Sequence, residues 1–283
     1  MTETPNLAQR EYWDSVAGPK WVRLGRELES RLEQINQLLL EQARPSLGEC
    51  VLDVGCGTGP TTLPLATAVG ADGHVLGIDI AEPMLAAARE RAQANSLYNV
   101  TLELADAQTH QFVPDRFDLI VSRFGVMFFD EPVAAFANLL KAMQPGGRLC
   151  FVCWGGIADN PHWQLPLDIA VRHLGPPAPR PTHAPGPLAF SDSSYVTKIL
   201  TDAGFREIAV ATAACDLLGV TLEQEADLAC EMGPSGSLIS ERAPAPATLS
   251  LIKQEIIAAF RPYATEAGIS LPAGLLVARA IRV

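Results

Sequence analysis

At 283 residues the chain exceeds an ordinary single domain and falls short of two, so one large domain with insertions is expected. Hydrophobic residues make up 48% of it, enough for a sizeable core, and its formal net charge of −11 comes without a basic stripe. That excludes phosphate-backbone binding, because Arg279 and Arg282 are too few to form one.

The N-terminal stretch MTETPNLAQREYW has no basic, apolar targeting pattern. No apolar run approaches the ~20 residues of a membrane span. The expectation is a soluble, cytoplasmic protein that binds no nucleic acid. Of its cysteines, four lie in apolar or strand-like runs, so reduced thiols fit better than a disulfide framework.

Residues 26–43 place Leu28, Leu32, Ile35 and Leu39 at steps of four, three and four, which predicts an amphipathic helix ended by Arg44-Pro45. Residues 50–54 read as a buried strand, followed by a glycine turn and a helix near 60–69. A second strand is expected over 74–79 and a helix over 82–94. Further strands are expected at 100–104, 117–121 and 148–153, with a helix at 132–143 before the Pro145-Gly146-Gly147 turn. Past residue 190 a helix is expected at 193–204 and strands at 205–213 and 274–283. This alternation predicts an α/β, Rossmann-like, doubly wound sheet.

Three segments fall outside the alternation. Residues 1–43 form a helical arm or lid. Residues 154–190 hold a short helix (161–173) and a proline-rich stretch. Residues 216–273 form a helical insert with helices near 221–232 and 245–261. The core is then 44–215 plus 274–283, in one domain spanning 1–283. Inserts at the C-terminal ends of parallel strands build or cover a ligand crevice.

The chemistry starts at VLDVGCGTG, residues 51–59. Its glycine spacing is one residue shorter than the G-x-G-x-x-G of a dinucleotide-binding turn. Asp53 stands two residues before the first glycine, awkward for a pyrophosphate and suited to an ammonium or sulfonium centre. Asp79 ends the second strand, where a carboxylate takes ribose hydroxyls, and Ile80 beside it could pack on a purine face. Asp106 ends the third strand, in reach of an exocyclic amine. Asp53 either meets the ligand or only orients the loop.

VLDVGCGTG, GIDIAEPML, LADAQ, FDLIVSRFGVMFF and PGGRLCFVCW, in this order, resemble the motifs of the class I S-adenosylmethionine-dependent methyltransferases. They are most similar to the branch holding the ubiquinone- and menaquinone-biosynthesis enzymes. The likeness covers residues 45–155 well and 190–213 weakly. It implies a seven-stranded sheet whose last strand is antiparallel, S-adenosyl-L-methionine as cofactor, and a cofactor site of Asp53, Gly55, Cys56, Gly57, Asp79, Ile80, Met84, Asp106, Ala107 and Ser122. By the same likeness Gly55 and Gly57 face the methionine part, Asp79 the ribose, and Asp106 with the Ala107 backbone the adenine. Ser122 and Arg123 border the methionine amine and the acceptor.

Candidates for the acceptor chamber are Tyr12, Trp13, Phe124, Met127 and Trp163. Phe124 and Met127 could instead be the packed start of a helix, and Tyr12, Trp13 and Trp21 could simply dock the arm. Of the histidines, His162 follows the fifth strand on the crevice side, and is either a general base or an ordinary first-turn helix residue. Cys150 and Cys153 have C-x-x-C spacing but lie in a strand, where i and i+3 face opposite ways, and no metal site is expected. The reading is methyl transfer to a small, largely apolar or aromatic metabolite by in-line displacement. The alternative is a protein of the same fold that binds the cofactor without transfer, as a regulator or cyclase-like catalyst. The inserts could also build a homodimer contact.

Overall fold

The computed structural model of the protein describes residues 5–283. The N-terminal arm is α1 (Leu7–Tyr12), a π-helical turn (Trp13–Ala17), α2 (Gly18–Arg23), α3 (Gly25–Arg31) and α4 (Glu33–Ala43). Leu28, Leu32, Ile35 and Leu39 are all buried, as their spacing predicts. The expected single helix is nevertheless two, because Leu32 takes ψ 8° and turns the axis. Bonds from Leu32 N to Leu28 O and from Asn36 N to Leu32 O continue through the bend.

The core alternates as expected: β1 (Cys50–Val54), α5 (Thr62–Val69), β2 (His74–Asp79), α6 (Glu82–Ala94), β3 (Val100–Leu104), β4 (Phe117–Arg123), α7 (Pro132–Ala142) and β5 (Met143–Trp154). Both α6 and α7 open with a proline in the first turn, where a missing N–H leaves no helical bond unmade. Then come α8 (Pro161–Leu174), α9 (Ser193–Asp202), β6 (Arg206–Gly219), α10 (Leu222–Glu231), α11 (Gly233–Arg242), α12 (Pro246–Phe260), β7 (Ala264–Thr265) and β8 (Gly268–Ile281).

The sheet order is β3-β2-β1-β4-β5-β8-β6, with the two-residue β7 paired to β8 off this path. Strands β1 to β5 are parallel, and β8 runs antiparallel to both β5 and β6. This is the expected seven-stranded sheet with a short extra strand. Phe117, Phe136, Phe151, Phe190 and Phe205 are fully buried in its continuous apolar core. Cys150 and Cys153 lie in that core, and the cysteines are free thiols.

Two expectations need correcting. The last strands are longer than read: β6 and β8 pair from Arg206↔Ile281 to Gly219↔Ile269. Asp216, Gly219, Pro272 and Gly274 interrupt the apolar pattern there and hide the strands. Pro272 is tolerated because β5 stops pairing with β8 at Leu275, leaving that stretch an edge. The insert 216–273 therefore begins and ends as strand, and it holds three helices rather than two. The missed one, α11, has a loop-like sequence, GPSGSLISER, but buries Leu238 and Ile239 and packs against α8. Among the described residues no helix is long and apolar enough to cross a membrane.

Candidate cofactor and acceptor site

Strand order reverses between β1 and β4, and the candidate residues lie at the C-terminal ends of these strands and their neighbours, where a doubly wound sheet places its ligand crevice. The turn after β1 takes positive φ at Gly55, Gly57 and Gly59 (69°, 56° and 82°), a region that side chains disfavour. Gly55 is required by the protein's own packing. A Cβ there would stand 2.6 Å from the Gly125 Cα in the loop after β4. At Gly57 a Cβ would meet the Met84 Cε at 2.9 Å. Cys56 is buried, and the N–H groups of Gly55 and Cys56 both donate to Ile78 O at the end of β2, at 2.9 and 3.0 Å.

Asp79 binds this turn from the neighbouring strand. Its Oδ2 accepts from Gly57 N at 2.8 Å and its Oδ1 from Ala81 N at 2.9 Å. Burial pushes its pKa up, against the pull of those N–H groups. Ile80 follows it, half-buried.

Asp53 is 1% exposed. Its Oδ2 accepts from the Thr62 hydroxyl at 2.7 Å, while Oδ1 has no partner. Burial pushes its pKa up to about 6, against the Thr62 bond and the Arg123 charge. The register explains the pairing of charges. Asp53 aligns with Val121 across the parallel β1–β4 pair, so both face one side of the sheet, and Arg123, two residues on, faces it too. Burial lowers the Arg123 pKa to about 10, against Asp53, Glu29 and Glu33. Ser122 faces the other side. Its buried hydroxyl donates to Val54 O at 2.7 Å and accepts from Gly125 N at 3.1 Å. The side chain thus joins the two turns.

Asp106 ends the third strand's loop and is engaged by the arm. Asn6 Nδ2 donates to both of its oxygens at 2.9 Å, and Gln108 N donates to Oδ1 at 2.9 Å. The Ala107 carbonyl accepts from Asn138, and its residue is buried. The arm continues along the crevice. Trp13 meets the Phe128 ring edge-on at 5.1 Å, and Arg91 joins Glu29 of α3 to the Thr58 carbonyl of the glycine turn.

An aromatic wall runs from β4 to α8. Phe124, at φ 66°, stacks on Trp154 at 4.3 Å with planes 4° apart. Trp154 lies 5.1 Å from His162 and 4.7 Å from Trp163. His162 is 5% exposed, and neither ring nitrogen has a hydrogen-bond partner, although the Pro272 carbonyl approaches. Burial, then the Arg31 charge, holds its pKa well below the ordinary value, so the ring is neutral. Arg31 and Glu225 form a buried ion pair between α3 and α10.

Two chamber candidates lie elsewhere. Met127 is 1% exposed and packs into the core from a 3-10 turn, so for it the packed-helix-start reading holds. Tyr12 is 47% exposed, turned to solvent with its ring 6.0 Å from Trp13. Sequence reasoning missed Asn6, Gln108, Trp154, Arg31 and Glu225. Trp154 closes the quoted PGGRLCFVCW motif and was a legible signal. Gln108 likewise closes the quoted LADAQ motif, whereas Asn6, Arg31 and Glu225 carry no signal, because an isolated Asn or a charge on a helix reads as surface.

Residues 51–147 match the family described as Methyltransferase domain. Aklanonic acid methyltransferase DauC of Streptomyces sp. (strain C5) is 40% identical over 113 residues, 40% of this chain and 51% of that one. Nocamycin O-methyltransferase of Saccharothrix syringae is 33% identical over 181 residues, covering 60% of this chain and 64% of that one. Demethylmenaquinone methyltransferase of Listeria welshimeri is 27% identical over 178 residues, 62% of this chain and 74% of that one. The chain thus spans about half of the first relative and under two thirds of the second. The solved YcgJ protein of Bacillus subtilis shares the fold with TM-score 0.58, at 16% identity, over 88% of this chain and 98% of that one. Residues 51–147 thus resemble a methyltransferase domain, and the sheet that carries them has the fold of the solved YcgJ protein.

Proposed function

We propose that the chain binds S-adenosyl-L-methionine above the β1–β4 switch point and transfers its methyl group to a small, largely apolar or aromatic acceptor. The observation that supports this most is the lie of Asp53, Asp79 and Asp106 at or just past the C-terminal ends of β1, β2 and β3, with Asp79 bonded to the glycine turn through Gly57 N. Asp53 offers its unpartnered oxygen to the cofactor's cationic end, and Arg123, on the same face, offers a cation to the α-carboxylate. Asp79 takes the ribose hydroxyls with lone pairs the backbone leaves free. Asp106 and the Ala107 N–H read the adenine, with Ile80 and Met84 packed against it.

The cofactor supplies a methyl already activated on a sulfonium, so the protein's work is alignment and exclusion of water. The aromatic wall orients a flat acceptor, and the arm and the insert 216–273 cover it. Trp13 and Trp163 belong to that cover. His162, neutral and without a hydrogen-bond partner, accepts a hydrogen bond from an acidic acceptor group in this reading. The DauC and nocamycin enzymes bear names of small-molecule methyltransferases, which supports the acceptor class.

The test is calorimetry with S-adenosylhomocysteine, then transfer of labelled methyl to a panel of aromatic and polyketide-like hydroxy acids. Binding with turnover is expected. Tighter binding of NAD than of S-adenosylhomocysteine would overturn the cofactor. Binding without any turnover would favour a cyclase-like or regulatory protein of the same fold.

A further inference from the structure

Asn6 is the polar residue of the arm that the fold buries most purposefully. It is 4% exposed and sits at φ 55°, a left-handed conformation that asparagine tolerates better than most residues. Both ends of its carboxamide are used. Nδ2 donates to the two Asp106 oxygens at 2.9 Å each and reaches Gln108 Oε1 at 3.3 Å. Oδ1 accepts from Asp130 N at 2.8 Å, and Asn6 N donates to the Asp130 carboxylate. No segment of the arm between Asn6 and Trp13 makes a comparable set of bonds to the core.

A carboxamide presents an sp² amino donor beside an acceptor. The amino edge of adenine presents the same pair, its exocyclic NH₂ beside N1. A carboxylate has about four lone-pair positions. On Asp106, Asn6 takes two and Gln108 N takes another. One position is left, and an amine that bonds both oxygens, as the Asn6 amino group does, comes where that group already lies. The bonds are charge-assisted, which makes them worth displacing only for a ligand that replaces them.

We propose that Asn6 plugs the adenine-reading position, so that the N-terminal arm and an adenosine-bearing ligand compete for Asp106. The proposal rests on the assignment of Asp106 to adenine made above. Ligand binding then requires α1 to lift while the rest of the arm stays. Trp13 remains against Phe128, and Glu29 remains tied to Arg91. An adenosyl ligand releases the plug because its own amine satisfies Asp106. A ligand without that amine leaves the plug in place. The consequence is a crevice covered until the right nucleoside arrives.

The experiment measures S-adenosylhomocysteine affinity and association rate for the full chain, Asn6→Ala and Asp130→Ala. Asp130 is exposed and touches the latch without touching Asp106 through its side chain, so it serves if Asn6→Ala misfolds. Both variants are expected to bind roughly three- to tenfold tighter, through faster association. Amide exchange of residues 7–12 should quicken in the ligand-free variants and, in the wild type, on adding ligand. Unchanged or weaker affinity in folded Asn6→Ala overturns the plug while leaving the cofactor assignment standing. Absence of S-adenosylhomocysteine binding in the wild type and in both variants overturns the cofactor assignment and the plug with it.

Discussion

Asp79 and Gly57 are joined across two strand ends by a hydrogen bond of 2.8 Å, from the turn's N–H to the carboxylate Oδ2. The other oxygen accepts from Ala81 N at 2.9 Å, so one side chain braces the glycine turn and the start of α6 together. Asp79→Ala is expected to lower both ligand affinity and stability. Leaving two N–H groups unpaired costs about 1–3 kcal/mol each where water cannot replace the acceptor. A chain of this size loses roughly 2–4 °C of melting temperature per kcal/mol. Calorimetry with S-adenosylhomocysteine should show at least a tenfold loss. A variant that melts like the wild type would mean that Asp79 does not hold the turn.

Asp53 should make stability depend on pH. Its folded pKa of about 6 lies above the ordinary carboxylate value of 3.8. Between those values the folded chain holds a proton that the unfolded chain has lost, so stability falls as pH rises through this window. The full cost is present above the folded pKa. Asp53→Asn is expected to melt higher than wild type at pH 8, with a smaller gap at pH 4.5. The same substitution should weaken S-adenosylhomocysteine binding, because it removes the charge facing the ligand's ammonium. Melting curves at the two pH values decide it, and a gap independent of pH would show that Asp53 is not titrating there.

Gly55 and Gly59 of the turn should differ in what they tolerate. Gly55→Ala forces a Cβ to 2.6 Å from Gly125 backbone, which cannot yield without moving β4's loop. Gly59→Ala meets only side-chain atoms at 3.5 Å and bears the strain of its φ of 82° alone. That strain is about 1–2 kcal/mol, and Gly55→Ala should cost clearly more. Urea unfolding of both variants provides the comparison, and equal losses would contradict the close packing of Gly55 on Gly125.

His162 separates stability from transfer. Its two ring nitrogens are buried without partners, a cost that a ring of similar size without polar atoms avoids. His162→Phe, packed between Trp154 and Trp163, should therefore raise the melting temperature. It should lower kcat for an acidic acceptor and leave S-adenosylhomocysteine affinity unchanged. Full turnover in the stabilised variant would make His162 a packing residue only.

Arg123 can be isolated by choice of ligand. Arg123→Gln should weaken S-adenosylhomocysteine binding about tenfold or more and spare 5′-methylthioadenosine, which lacks the amino-acid end. Each charge-assisted bond to a carboxylate is worth about 1.5–3 kcal/mol. Equal loss for both ligands would show that the substitution disturbs the crevice as a whole.

Much of this protein is legible in the chain itself. The strands β1, β2 and β4 are short apolar runs, and local pattern determines them because they are largely buried on both faces in a parallel sheet, while the edge strand β3 is legible from its alternation, VTLEL. The acids Asp53, Asp79 and Asp106 are legible for the same reason: each sits where an apolar run stops, and a parallel sheet brings all such stops to one edge. Tertiary structure decided what those acids touch. The Gly57 N–H that Asp79 holds, the carboxamide laid on Asp106 from 100 residues away, and the Gly125 backbone that excludes a Cβ at Gly55 are long-range contacts with no periodic trace. It also decided the cap. The end of β6, the start of β8 and α11 break the rules of local propensity, with proline, glycine and serine inside regular elements. They form because the β6–β8 ribbon and the α8 face supply pairing and burial that outweigh an intrinsic preference of about 1 kcal/mol per residue. Met127 and Ser122 belong to the same lesson: their residue types suited a site, and the packing of the strand-four loop against strand one put them to structural use.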